Sequence, residues 1–63
     1  MDDDLLTVED VAERLRVDEA TVRRMAERGE FEGAFKVGRL WRIPSQGVTA
    51  YIQRQQADQR QKQ

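Results

Sequence analysis

The 63 residues allow one domain with one small core, since a chain of this size buries only about 60% of the surface its unfolded form exposes. With no Cys and no His, disulfides and ordinary zinc sites are excluded, no cofactor or metal is expected, and stability must come from packing, capped helices or a bound partner. The formal net charge of −1 gives no global attraction to an anionic partner; no apolar run approaches the roughly 18 residues that span a bilayer, and the acidic start Met1-Asp2-Asp3-Asp4 has the wrong sign for a secretory signal, so a soluble, cytoplasmic protein with no membrane partner is expected.

Residues 1–4 form an acidic arm, residues 5–53 the organised domain, and residues 54–63 a polar, Gln-rich tail expected to fray. Thr7 is a natural N-cap, and Asp10 three residues on completes an approximate capping box. Leu6 and Val11 have the spacing of a hydrophobic staple. Val8, Val11, Ala12 and Leu15 make one apolar stripe, so a first helix should run to Leu15 or Arg16. Asp18 caps a second helix from Glu19, with Val22, Met25 and Ala26 on its buried side and Gly29 just past its end. Only Arg16, Val17 and Asp18 separate the two helices, with Val17 expected to tuck inside the turn. That is helix-turn-helix spacing.

The period then changes from helix to strand. Phe35-Lys36-Val37 and Leu40-Trp41-Arg42-Ile43 flank Gly38-Arg39, which reads as a two-stranded hairpin with a glycine turn. Phe35 and Val37 should share one face, and Lys36 and Arg42 should lie on the solvent side. An isolated hairpin is marginal in water, so this one must pack on the helices. Pro44 ends the second strand, and Ser45 is expected to cap a third helix of roughly ten residues, with Val48, Tyr51 and Ile52 facing the core. The fold class is mainly α with a small β-hairpin: a winged helix-turn-helix of three helices and a two-stranded wing.

Charge is unevenly distributed along this plan. Six of the 12 acids (Asp2, Asp3, Asp4, Glu9, Asp10, Glu13) precede the first base, Arg14. After Glu32 the only acid is Asp58, against Lys36, Arg39, Arg42, Arg54, Arg60 and Lys62. A local basic surface, not net charge, governs docking on phosphates. A basic second helix fits a major groove about 12 Å wide while a basic hairpin grips the flanking backbone or minor groove. The candidate DNA-binding residues are therefore Thr21, Arg23, Arg24 and Arg28 on the second helix and Lys36, Arg39 and Arg42 on the hairpin. Arginine reads guanine through a bidentate pair but also binds phosphate without reading sequence, so which of Arg23 and Arg24 reads a base is left open. The competing view is a solvated face, because Glu19–Arg23 and Arg23–Glu27 have ion-pair spacing; Arg28, at the far end, is the most exposed to it. Trp41 and Tyr51 read as core aromatics, and Gly33 and Gly38 as turn glycines.

Catalysis has no footing. No His or Cys offers a base or nucleophile, the carboxylates fall on helix starts and exposed faces, and a domain this small is not expected to hold a small-molecule pocket. An enzyme is not expected.

Leu5-Leu6-Thr7-Val8-Glu9-Asp10-Val11-Ala12-Glu13-Arg14-Leu15 resembles the opening of the excisionase-type helix-turn-helix domains, relatives of the MerR-type winged helix. Val17-Asp18-Glu19-Ala20-Thr21-Val22-Arg23-Arg24-Met25 is similar to their second helix, Gly29-Glu30-Phe31 to the helix exit, and Phe35-Lys36-Val37-Gly38-Arg39-Leu40-Trp41-Arg42-Ile43-Pro44 to the wing. The likeness runs from Leu5 to about Ile52. It implies a DNA-binding domain, with Thr21, Arg23 and Arg24 entering the major groove and Lys36, Arg39 and Arg42 on backbone or minor groove. It also implies an architectural factor that bends attachment-site DNA beside an integrase or recombinase, or else a small transcriptional regulator. MerR-type regulators add a long dimerising helix and an effector domain that the sequence does not supply, so self-association is expected only on DNA. The acidic arm Asp2–Asp4 would then meet a neighbour's wing. A third reading, from a different class, is a protein-interaction adaptor whose basic face meets an acidic partner.

Overall fold

The computed structural model describes residues 4–61, with side chains through Asp58. Residues 1–3, the Arg60 side chain and Lys62, all invoked in the charge argument above, lie outside the described residues. The elements in chain order are β1 (Leu5–Leu6), α1 (Val8–Leu15), α2 (Glu19–Glu27), β2 (Phe35–Val37), β3 (Leu40–Pro44) and α3 (Ser45–Gln61). This is a winged helix-turn-helix. Among the described residues no helix is long and apolar enough to cross a membrane.

Both early helices are capped as their sequences dictate. Thr7 accepts from the Asp10 amide and Asp10 from the Thr7 amide, each at 3.1 Å, closing the capping box. Asp18 caps α2 through the Thr21 amide at 3.3 Å. At the far end of α2, Gly29 (φ 80°) donates to the Ala26 carbonyl and Glu30 to that of Met25, both at 3.0 Å. That pair of bonds is a Schellman closure, which needs the left-handed residue that glycine supplies without strain. The turn between the helices departs from expectation. Arg16 takes the left-handed conformation (φ 61°), and it and Val17 both donate to the Ala12 carbonyl. Val17 is 39% exposed and not tucked inside. The backbone bonds to Ala12 close the turn, so no apolar plug is required there.

The core is Val11, Ala12, Val22, Ala26, Phe31, Ile43 and Val48, with Leu6, Val8, Leu15, Met25, Trp41, Tyr51 and Ile52 packed around it. Each predicted helical stripe contributes. Phe31, from the loop after α2, sets its ring edge-on against Tyr51 (centroids 5.4 Å apart, 62° between planes), an arrangement aromatic quadrupoles favour.

The sheet has three strands in the order β1-β3-β2, all antiparallel. The strand β1 was not foreseen. Two residues are too short for a periodic signal, and Leu6 read as a staple before α1. Leu5 pairs with Pro44 and Leu6 with Ile43, and Ser45 continues the ladder by donating to the Asp4 carbonyl at 2.9 Å. Ser45 is thus the first residue of α3 and not its cap.

In the hairpin, Phe35 pairs with Arg42, Lys36 with Trp41 and Val37 with Leu40. Directly opposed residues share a face. Lys36 therefore lies on the face of Trp41 and Ile43, while Arg42 joins Phe35, Val37 and Leu40, which corrects the expectation that Lys36 and Arg42 face solvent together. Phe35 and Val37 do share a face, but it is not the packed one: Phe35, Val37 and Leu40 are 44%, 55% and 58% exposed. The hairpin is anchored through β3, which packs on all three helices.

α3 spans 17 residues, not roughly ten. The apolar pattern ends at Ile52, but the Gln, Arg and Ala that follow are strong helix formers and no Gly or Pro interrupts them. At its start α3 packs backbone to backbone. A Cβ on the buried Gly47 would stand 2.4 Å from the Glu32 carbonyl oxygen. Gly47→Ala is therefore expected to destabilise the fold by about 1–3 kcal/mol through overpacking, despite alanine's better helix propensity. Chemical denaturation of the two proteins side by side checks this; an equally stable variant would mean the loop yields freely.

Candidate nucleic-acid interface

A cleft of about 270 Å³ opens between the start of α1, the start of α2 and the wing, lined by Thr7, Val8, Glu9, Glu19, Arg23, Arg39, Leu40, Trp41 and Arg42. It is larger than the sequence led one to expect for so small a domain. Helix arginine Arg23 and wing arginines Arg39 and Arg42 come together in it. Thr21, Arg24, Arg28 and Lys36 do not line it. The α1 residues Thr7, Val8 and Glu9 were not among the predicted site residues; their capped helix start was legible, but its position beside the wing was not.

Each candidate cation is held differently. Arg23 pairs with Glu19 at 3.4 Å, one helical turn back, with both side chains about half exposed. Arg28 pairs with Glu30 at 3.7 Å. Exposed pairs of this kind contribute about 0–1 kcal/mol, so either arginine can exchange its carboxylate for a phosphate at little cost. Arg24 has a neutral partner instead: its Nη2 donates to the Thr21 hydroxyl at 3.3 Å. That hydroxyl in turn donates to the Asp18 carboxylate.

On the wing, Gly38 has φ 63° and Arg39 is not in the left-handed region, the pattern of a type II′ turn. Arg39 occupies the tip, exposed, and makes no hydrogen bond or ion pair among the described residues. Arg42 is half-buried and donates to the Trp41 carbonyl at 3.1 Å. The Lys36 ammonium sits 5.6 Å from the centre of the Trp41 ring, a cation–π contact across the strands. Trp41 is only partly buried, packed against the core, and its indole N–H is enclosed with no hydrogen-bond partner among the described residues. It is a wall between core and cleft, and not a full core residue as the sequence suggested.

The bonds at the start of α2 leave an electrostatic mark. Hydrogen bonds from the Thr21 hydroxyl, then from the Thr21 amide, hold the Asp18 carboxyl below its usual value of 3.8, and Arg24 adds a smaller attraction. A carboxyl with a depressed folded pKa adds stability above its unfolded pKa and loses it as pH falls through the folded one. Asp18→Asn keeps a good cap but cannot titrate. It is expected to flatten the decline of urea midpoints below about pH 4, the region where an unfolded Asp protonates. An acid limb as steep as that of the parent protein would count against the assignment.

Comparison with curated proteins and with solved structures returned no match. A family model described as a helix-turn-helix domain matches residues 5–56, which include every element from β1 to the middle of α3. The match covers two capped helices joined by a three-residue turn, a second helix carrying Arg23 and Arg24, and the wing beside it, and the chain belongs to this DNA-binding helix-turn-helix family.

Proposed function

We propose that the domain binds double-stranded DNA sequence-specifically, laying α2 in the major groove and gripping the backbone or adjacent minor groove with the wing. One observation carries this reading: Arg23 of α2 and Arg39 and Arg42 of the wing line a single cleft. Cations on both elements can then engage one duplex at two places. Arg39, unpaired among the described residues at the hairpin tip, suits backbone contact; Thr21 and Arg24 lie on α2, Arg28 at its C-cap and Lys36 on β2, outside the cleft lining.

The finer form of the proposal is an excisionase-like architectural factor that bends DNA beside an integrase or recombinase, with neighbouring copies binding cooperatively. It rests on the resemblance of residues 5–52 in the wing and second helix. DNA bending and an effect on integrase-mediated excision are its expected signatures; a change in promoter activity without bending would instead favour a transcriptional regulator.

Titration against duplex DNA at increasing salt tests the core claim. With four to six phosphate contacts, log affinity should fall against log salt with a slope of about −0.9 per contact. Arg39→Ala should weaken all sequences alike and flatten the slope by about one unit. Glu19→Gln should strengthen binding, because it removes a negative charge that competes with phosphate for Arg23. Negligible duplex affinity even at low salt would overturn the reading and favour an adaptor.

A further inference from the structure

The geometry points to Arg24 as the base-reading arginine of α2, with Thr21 and Asp18 as the residues that position it. This deepens the DNA-binding proposal and rests on it. Three arginines lie on or at the end of α2, and they differ in what holds them. Arg23 and Arg28 face carboxylates, those of Glu19 and Glu30. Arg24 faces a hydroxyl. A guanidinium in an exposed carboxylate pair exchanges that partner for a phosphate at little cost, which suits backbone contact. One bound to a hydroxyl has no anion competing with the base it would read.

The direction of the chain is set by chemistry. An ionised carboxylate has no proton to give, so the Thr21 hydroxyl must donate to Asp18. Its oxygen is left purely as an acceptor, and Arg24 donates to it at 3.3 Å. Asp18 is itself immobilised, because the same oxygen caps α2 through the Thr21 amide. The result is a tether from the helix backbone through two side chains to the guanidinium. Ordering an arginine before it binds removes part of the entropy cost of binding, and a bidentate pair with guanine demands that order more than a phosphate contact does. With its proton given to Asp18, the Thr21 hydroxyl has none to offer a phosphate, and its part in this proposal is to orient Arg24.

Three variants separate this role from a structural one. Thr21→Val keeps the shape and removes the hydroxyl, Thr21→Ser restores it, and Arg24→Ala removes the reader. Duplexes enriched by the parent protein from a random pool, and their single-base-pair mismatches, are the probes. Thr21→Val should lower discrimination at one base-pair position by about fivefold or more, the low end of what one good side-chain–base pair contributes. Arg24→Ala should lose discrimination at that same position, the two changes together should lose no more than Arg24→Ala alone, and Thr21→Ser should retain it. The salt slope should stay unchanged in Thr21→Val. In the free protein, NMR of the Arg24 guanidinium should show hindered rotation in the parent and Thr21→Ser proteins and free rotation in Thr21→Val. Circular dichroism confirms that each variant is folded.

If Thr21→Val discriminates as the parent does while Arg24→Ala does not, the relay is overturned and the DNA-binding reading stands. If Arg23→Ala and not Arg24→Ala loses base preference, the assignment of the reader is overturned. If the parent protein enriches no duplex, the DNA-binding reading fails and this inference falls with it.

Discussion

β3 is the strand on which the geometry of the whole domain depends. It is the middle strand of the sheet and packs on all three helices. Ile43, fully buried, sits where β1, β3 and the helices meet, in the same cluster as Val11 from α1, Val22 from α2 and Val48 from α3. Burying such a side chain contributes about 1.5–3 kcal/mol, a large part of what so small a core can supply. The two residues before Ile43 on the same strand are Arg42 and Trp41, and the hairpin tip follows within three more. The wing is therefore not a loose appendage. Its cations are referred to α2 through a short, doubly paired strand whose far end is locked in the core.

This arrangement explains how a chain of net charge −1 can present cations to a polyanion. One arginine of α2, Arg23, and two of the wing, Arg39 and Arg42, converge on one cleft, while several acids are drawn into local duties. Asp10 and Asp18 cap helices, Glu19 and Glu30 pair with neighbouring arginines. Surface pairs of this strength are exchanged easily, so they do not remove the arginines from use. The exceptions are held by neutral groups: Arg24 by a hydroxyl, Arg42 by a carbonyl, Lys36 by an aromatic face. Such cations have no paired anion to exchange.

The wing also shows how a hairpin survives without its own core. Phe35, Val37 and Leu40 form an exposed face, so β2 gains little from burial. Pairing with β3, the glycine turn and the Lys36–Trp41 contact hold it instead. Trp41 is central to that economy. Its ring carries Lys36, it packs against the core, and it lines the cleft.

Local structure was legible because local physics decides it. Thr7 and Asp18 announce helix starts through side-chain oxygens, Gly29 and Gly38 announce positive φ, and the stripes Val8-Val11-Ala12-Leu15 and Val48-Tyr51-Ile52 announce buried faces. From these the three helices, the hairpin and the winged helix-turn-helix follow. What the one-dimensional pattern could not carry was every contact between distant segments. The pairing of Leu5 with Pro44, the close approach of Gly47 to Glu32, and the cleft shared by Thr7, Arg23 and Arg39 join residues far apart in the chain. Face assignment in the wing failed for the same reason. Alternation along one strand says which residues go together, but only the register against β3 and the packing of β3 on the helices say which side meets the core. The sequence by itself determined the elements, their caps and the identity of the candidate cations; the tertiary structure alone decided which cations share a cleft and what holds each of them, because those depend on where a buried Ile43 places one strand against three helices.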